Sequence, residues 1–166
     1  TGEVLCWGAN TSGQLGDGTT NDMRLTPVAV VGLTDATQVT VGGEHTCALR
    51  RTGGVVCWGS NTNGQLGDGT VFTRSVPAAV SGLTGIVQVT AGSAYTCALS
   101  AGGAVSCWGM NTSGQLGDGT ITQRTQPVTL SVSRAVAVSA GSSHTCALRE
   151  GGGAFCWGAN NYGQIG

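Results

Sequence analysis

Short apolar runs alternate along the chain with stretches dense in Gly, Asn, Asp and Thr, and no apolar stripe at helical spacing predicts a helix. In the second unit of the pattern, four segments read as strands bounded by glycine or proline: Pro77–Val80, Ile86–Ala91, Tyr95–Leu99 and Ala104–Trp108. Val87, Val89 and Ala91 alternate with Gln88 and Thr90, a period-two pattern that turns one face of this strand inward. Four short antiparallel strands per unit predict an all-β blade.

The register of the last two strands follows from a turn. The run Leu49-Arg50-Arg51-Thr52-Gly53-Gly54-Val55 reads as a tight hairpin in which Gly53 is free to take positive φ. Centring the hairpin on Thr52 sets Leu49 opposite Val55 and Cys47 opposite Cys57; the same spacing pairs Cys97 with Cys107 and Cys146 with Cys156. Directly opposed antiparallel residues have Cα atoms roughly 4.5–5.5 Å apart, within reach of a disulfide. Each bridge would then cross its own hairpin and contribute about 2–3 kcal/mol by restricting the unfolded chain. Two other readings stand beside this one: buried free thiols, or a metal held by His45, Cys47 and Cys57. The second copy has Tyr95 in place of the histidine and keeps both cysteines, which favours the disulfide. Cys6 has no mate within the sequence.

The units repeat. Cys-Trp-Gly begins at residues 6, 57, 107 and 156, at steps of 51, 50 and 49 residues, so residues 1–166 read as one repeat array with a period of about 50. The full phrase runs from Cys107-Trp108-Gly109 through Asn111 and Gly114-Gln115-Leu116-Gly117-Asp118-Gly119 to Thr120. Arg24, Arg74 and Arg124 each stand three residues before Pro27, Pro77 and Pro127. Trp7, Trp58, Trp108 and Trp157 are expected in the repeat core, within or between blades, and the phrase leucine is expected to tuck inward. Asp17, Asp68 and Asp118 are expected to cap their own turns; one acid per repeat is thin ligation for calcium. The arginines are expected either to pair with these aspartates or to stack on a neighbouring blade's tryptophan. Thr1–Gly16 matches Gly151–Gly166, and Cys6 lacks a partner. Both ends therefore look truncated, and three periods plus a duplicated overlap suggest part of a larger propeller or tandem array, since repeats bury their faces against neighbours.

Composition narrows function more than it names one. The net charge is −1, with arginine as the only strong base and eight acids, which gives no field for counterion-driven nucleic-acid binding. No apolar run approaches the ~18 residues needed to cross a bilayer as a helix. Seven cysteines in regular pairs point to an oxidising compartment, and so to an extracellular or cell-surface protein. The aspartates, like His45 and His144, are copies of one repeat position rather than members of one catalytic site, and no serine or threonine stands in a motif that would activate it. The expectation is a non-enzymatic protein with no cofactor and no metal. Asn10 and Asn111 begin N-glycosylation patterns, which the other copies lose through Asn63 and Tyr162 at the third position.

Taken in order, Cys-Trp-Gly-x-Asn-x-x-Gly-Gln-Leu-Gly-Asp-Gly-Thr, Arg-x-x-Pro, apolar-x-Val-x-Ala-Gly and His-Thr-Cys-Ala-Leu closely resemble the regulator of chromosome condensation repeat family, over the whole chain. The resemblance implies a β-propeller, commonly of seven blades of about fifty residues, closed by a blade built from both ends of the chain. Copies with paired cysteines look most like bacterial secreted or surface members. The eponymous member is a guanine nucleotide exchange factor that binds chromatin through an inserted wedge and basic segments; this chain has neither, so that activity is not expected. A secreted β-lactamase inhibitory protein also resembles the fold and binds through loop aromatics, for which Phe72 and Tyr162 are the candidates here. The reading that remains is a scaffold whose partners are other repeats, neighbouring subunits or a protein not identified by the sequence. Near-identical copies favour assembly into an array or fibre slightly over a single binding face.

Overall fold

A computed structural model describes residues 2–20 and 23–166, and every regular element among them is a strand. In chain order these are β1 (Leu5–Ala9), β2 (Met23–Ala29), β3 (Ala36–Val41), β4 (His45–Arg50), β5 (Val55–Gly59), β6 (Arg74–Ala79), β7 (Ile86–Ala91), β8 (Tyr95–Ser100), β9 (Val105–Gly109), β10 (Arg124–Thr129), β11 (Ala135–Ala140), β12 (His144–Arg149) and β13 (Ala154–Gly158). They form antiparallel sheets ordered β1-β2, β3-β4-β5-β6, β7-β8-β9-β10 and β11-β12-β13.

The hairpin register is the one the sequence predicts. Cys47 lies opposite Cys57 and Leu49 opposite Val55, with Gly53 at φ 80°. Disulfides join Cys47 to Cys57, Cys97 to Cys107 and Cys146 to Cys156, each with Cα atoms 4.1 Å apart. The metal reading falls with this, because the sulfurs it needs are bonded to each other.

Two expectations are corrected. The proline strand does not belong with the strands that follow it: β6, which carries Pro77, pairs back onto β5, and the next sheet starts at Ile86. The blade is therefore one strand out of phase with the grouping Pro77–Trp108. Proline lacks an amide hydrogen, and β6 is an edge strand where one side of the ladder has no partner to supply. The period-two reading of Ile86–Ala91 also fails at its start. The register against β8 shifts between Ile86 and Gln88, a bulge that buries Ile86 and Val89, leaves Val87 53% exposed and aims Gln88 at the neighbouring blade. The same shift occurs in β3 between Ala36 and Gln38 and in β11 between Ala135 and Ala137.

The core lies between blades. One cluster joins Leu49, Val55, Leu66 and Val80 of the first complete sheet's repeat to Ile86, Val89, Ala98 and Trp108 of the next. A second joins Leu99, Val105, Leu116 and Leu130 to Ala135, Val138 and Ala147, with Trp157 packed against it. A third sets Val4, Val30 and Leu33 against Ala48, Val56 and Trp58. Each blade thus completes its neighbour's apolar core, the arrangement expected of a repeat array.

Candidate functional site

The phrase loops and the joints they make are where the polar chemistry of the chain is concentrated. In each of the first three loops an asparagine is fully buried. Asn61 accepts from the Leu66 amide at 3.0 Å and donates to Asp68 and to the carbonyls of Thr70 and Phe72; Asn10 and Asn111 do the same work in their own loops, the latter donating to the Thr122 carbonyl. Asp68 in turn accepts from the Thr70 amide and hydroxyl through one oxygen and from Arg74 through the other, at 2.7–3.0 Å. Asp17 with Arg24 and Asp118 with Arg124 repeat the pair at 2.8 and 2.7 Å. The arginines therefore pair with the loop aspartates, the first of the two roles expected of them. Burial opposes ionisation of Asp17 and Asp118, but hydrogen bonds from threonine, arginine and asparagine outweigh it and hold both carboxyls down to about 2; Asp68 is lowered for the same reasons.

This network gives the glycosylation expectation no support. Asn10 and Asn111 are 0% exposed, with their side-chain nitrogens committed inside the loop, so a glycan on either would dismantle the turn that carries it.

The phrase then reaches across to the next blade. The Gln14 carbonyl accepts from Trp58 Nε1 at 2.9 Å and Thr46 Oγ1 at 2.8 Å. The Gln65 carbonyl accepts from Trp108 Nε1 and Thr96 Oγ1, both at 2.9 Å. The Gln115 carbonyl accepts from Trp157 Nε1 and Thr145 Oγ1, at 2.9 and 2.8 Å. Beside each carbonyl a glycine lets the indole approach: at Gly67, with φ +69°, a Cβ would stand 2.6 Å from Trp108 Nε1. Each tryptophan after the first is thus covered by the phrase one repeat upstream: Trp58 and Trp108 are fully buried and Trp157 is half-buried, while Trp7 stands 63% exposed within residues 1–166.

A second contact, which sequence reasoning missed, ties the first strands of successive blades together. Gln38 donates to the Val89 carbonyl at 2.9 Å and accepts from the Val89 amide at 3.0 Å; Gln88 makes the same pair with Val138, both at 3.0 Å. A glutamine side chain here stands in for a strand. The available signal was its recurrence at one repeat position next to a bulge that the apolar pattern conceals.

Between these contacts lies one variable position. His45 is buried, and its Nε2 lies 2.9 Å from Thr96 Oγ1; its equivalent, Tyr95, donates to the His144 carbonyl and sits 2.9 Å from Thr145 Oγ1. Burial pushes His45 down to about 4, and pushes Tyr95 up to about 12 although the bond with Thr145 acts against the rise. His144, the third member, is half-buried. Among the described residues no group of three or more His, Cys, Asp or Glu side chains is placed to hold a metal ion, and Cys6, half-buried, is the one free cysteine.

Loops, phased glycines and interlocked blades recur with the period that known repeat profiles describe. Profiles of the regulator of chromosome condensation (RCC1) repeat match residues 1–49, 52–99 and 102–148. The chain belongs to the RCC1 repeat family. A second RCC1 profile matches residues 36–65, 86–115 and 135–164, whose starting points coincide with the first residues of β3, β7 and β11 and so with the structural phase of the blades. Among curated relatives, the human probable E3 ubiquitin-protein ligase HERC6 is 41% identical over 73 residues, covering 43% of this chain and 7% of that protein. Among solved structures, human WBSCR16 superposes with a TM-score of 0.87 at 26% identity, covering 99% of this chain and 45% of the other. Prp20p of Saccharomyces cerevisiae, described with its binding properties to Gsp1p and histones, gives 0.83 at 29% identity over 97% of this chain and 42% of its own. The RCC1 repeats here span less than half of either solved chain and a small fraction of HERC6.

Proposed function

We propose that this RCC1-repeat chain is a non-enzymatic scaffold of an extracellular or cell-surface protein, in which interlocked blades hold loops for protein contact or for assembly into a longer array. One observation carries the reading. The polar side chains that recur in the phrase are spent on the fold: the asparagines, aspartates and arginines close their own loops, and the glutamine carbonyls hold the next blade. The loop aspartates are paired in this way and His45 is sealed between blades, while the side chains left outward on the loops after the third strands include Phe72, Ile121 and Tyr162. Such loops suit protein recognition, and the exposure of Phe72 (69%) and Tyr162 (94%) favours a partner-binding face of the kind used by a secreted inhibitory propeller. The extracytoplasmic part of the proposal rests on the three hairpin disulfides.

Two measurements test it. Thiol titration of unreduced, denatured chain should find one thiol, that of Cys6; seven would remove the disulfides and the oxidising compartment with them. Affinity capture with the chain as bait, repeated with Phe72, Ile121 and Tyr162 changed to serine, should lose its bound protein in the variant. Unchanged capture would remove the loop face. If instead the bait recovers only its own parent protein, and that protein carries many more repeats than a ring of roughly 350–400 residues, the array form of the scaffold is the one to keep.

A further inference from the structure

We propose that the joint between the β3–β6 and β7–β10 blades is an acid-sensitive device, and that the following joint is not, because His45 occupies the one position where the second joint has Tyr95. Thr96 Oγ1 donates its hydrogen to the Gln65 carbonyl at 2.9 Å, so it can only accept from His45 Nε2, 2.9 Å away. That fixes the neutral ring with its hydrogen on Nε2. Nδ1 is left buried and without a hydrogen-bond partner. The space around it is closed, since a Cβ on Gly42 would meet Nδ1 at 2.5 Å and the Gly92 carbonyl, from the next blade, at 2.5 Å. Nδ1 itself is shielded from solvent, although the ring borders the hollow between β1 and β3.

A proton on Nδ1 would therefore create an imidazolium between blades with no counter-charge. The groups around the ring bear this out. From β5, Gly59 lies across from His45; from β8, Thr96 is neutral; on β4 and β5, Cys47 and Cys57 are bonded to each other. From β1, Cys6 lines the same hollow, and burial raises its thiol pKa so that it stays neutral in acid. Glu44, next in the chain, is exposed and turned toward Ser12 at 3.3 Å. At the second joint the Tyr95 hydroxyl fills the same role, donating to the His144 carbonyl and lying 2.9 Å from Thr145 Oγ1, so no imidazole occupies the centre of that joint.

The sign follows from linkage. A histidine that titrates near 6.5 when unfolded and near 4 when folded is protonated in the unfolded chain first, so its contribution is whole above pH 6.5 and is lost as pH falls toward 4. The unfolding constant should rise on the order of tenfold between pH 7.5 and 5.0, above the range in which the loop aspartates titrate. Urea unfolding of the chain at these two pH values, for the wild type, His45→Tyr and Tyr95→His, tests the proposal. The pH response should shrink in His45→Tyr and grow in Tyr95→His, while of the Gly43 and Ser93 amides, which bond across successive joints, Gly43 alone should lose protection, measured against the intrinsic exchange rate at each pH, in the wild type in acid. Equal responses in wild type and His45→Tyr would overturn it. Should His45→Tyr fail to fold, ring titration of the wild type by NMR decides: a His45 midpoint near 6.5, like that of a solvated histidine, removes the device.

Discussion

The joint between the first two complete blades and the joint that follows it are built from the same parts, and they differ mainly in one buried ring. Both seat a tryptophan against a glycine of the preceding phrase, Trp108 at Gly67 and Trp157 at Gly117, both use a glutamine amide as a false strand, and both run a threonine hydroxyl to a glutamine carbonyl. At the centre, however, one has a histidine with an idle nitrogen and the other a tyrosine whose hydroxyl is fully used. The comparison teaches that the repeat tolerates change where a side chain only fills and bridges, and keeps the same residue where a side chain must supply both a donor and a shape. It also makes the two joints controls for each other.

The largest effect is expected from the tryptophans. Trp108→Ala removes a fully buried indole and its bond to the Gln65 carbonyl, and should cost about 3–5 kcal/mol in chemical denaturation. Trp58→Ala should cost about the same, because Trp58 is buried as completely and bonds the Gln14 carbonyl in the same way. Trp7→Ala, at an exposed position, should cost far less. A Trp58 and Trp108 pair differing by more than about 1 kcal/mol would break the equivalence of the Trp108 joint and the joint before it, which seats Trp58. Next come the bridges. Cys97→Ala with Cys107→Ala should lose about 2–3 kcal/mol, matched by the Cys47 and Cys57 double variant, since each bridge spans the same separation of ten residues. A chain in which either loss is absent under oxidising conditions would show that the bridge does not form.

These effects divide along the line between what the sequence discloses and what it hides. The disulfides were legible because hairpin register is local: Gly53 marks the turn, and counting outward sets Cys47 against Cys57. The repeat and its strands were legible from the spacing of Cys-Trp-Gly. What distant residues decide was not. The partner of the proline strand is chosen by a long polar loop that brings β6 back onto β5, so the blade phase could not be counted from the run Pro77–Trp108. The bulge at Val87 cancels the alternation that the apolar pattern displays, and it is this bulge that hands Gln88 to the next blade. Asn10 and Asn111 satisfy a surface-modification pattern while serving as buried loop anchors, and a three-residue window carries no information about burial.

The glutamines are the sharpest test of the false-strand contact. Gln88→Leu keeps bulk but removes the donor and acceptor that face Val138, leaving that residue's amide and carbonyl to find water, and should cost about 1–2 kcal/mol. Gln38→Leu should match it through Val89. Hydrogen exchange provides the local readout: the Val138 amide should lose protection in Gln88→Leu while the Val89 amide keeps it, and the reverse should hold for Gln38→Leu. Loss of protection at both amides in either variant would mean that the joints are coupled rather than independent.

The smallest effect is expected at the loop ion pairs, and it separates the two sources of acid sensitivity. Asp118→Asn keeps an oxygen for the Thr120 amide and hydroxyl but loses the charge that faces Arg124, whose guanidinium is partly exposed, so the cost at pH 7 should be about 0.5–1 kcal/mol. The Asp118 carboxyl is held down at about 2 from an ordinary value of 3.8, so the native chain binds fewer protons than the unfolded chain between those values. The advantage of the wild type over Asp118→Asn is therefore whole above about pH 4 and shrinks as pH falls through 2, where the two should converge. Asp68→Asn should behave in the same direction, since its carboxyl is lowered by the same kinds of bond. Neither substitution should alter the response between pH 7.5 and 5.0, which lies above the carboxylate window and belongs to His45 alone among the residues that distinguish the joints. Denaturation of Asp118→Asn across both windows measures this: a changed response above pH 5 would tie the loop aspartate to the histidine joint and end the separation of the two.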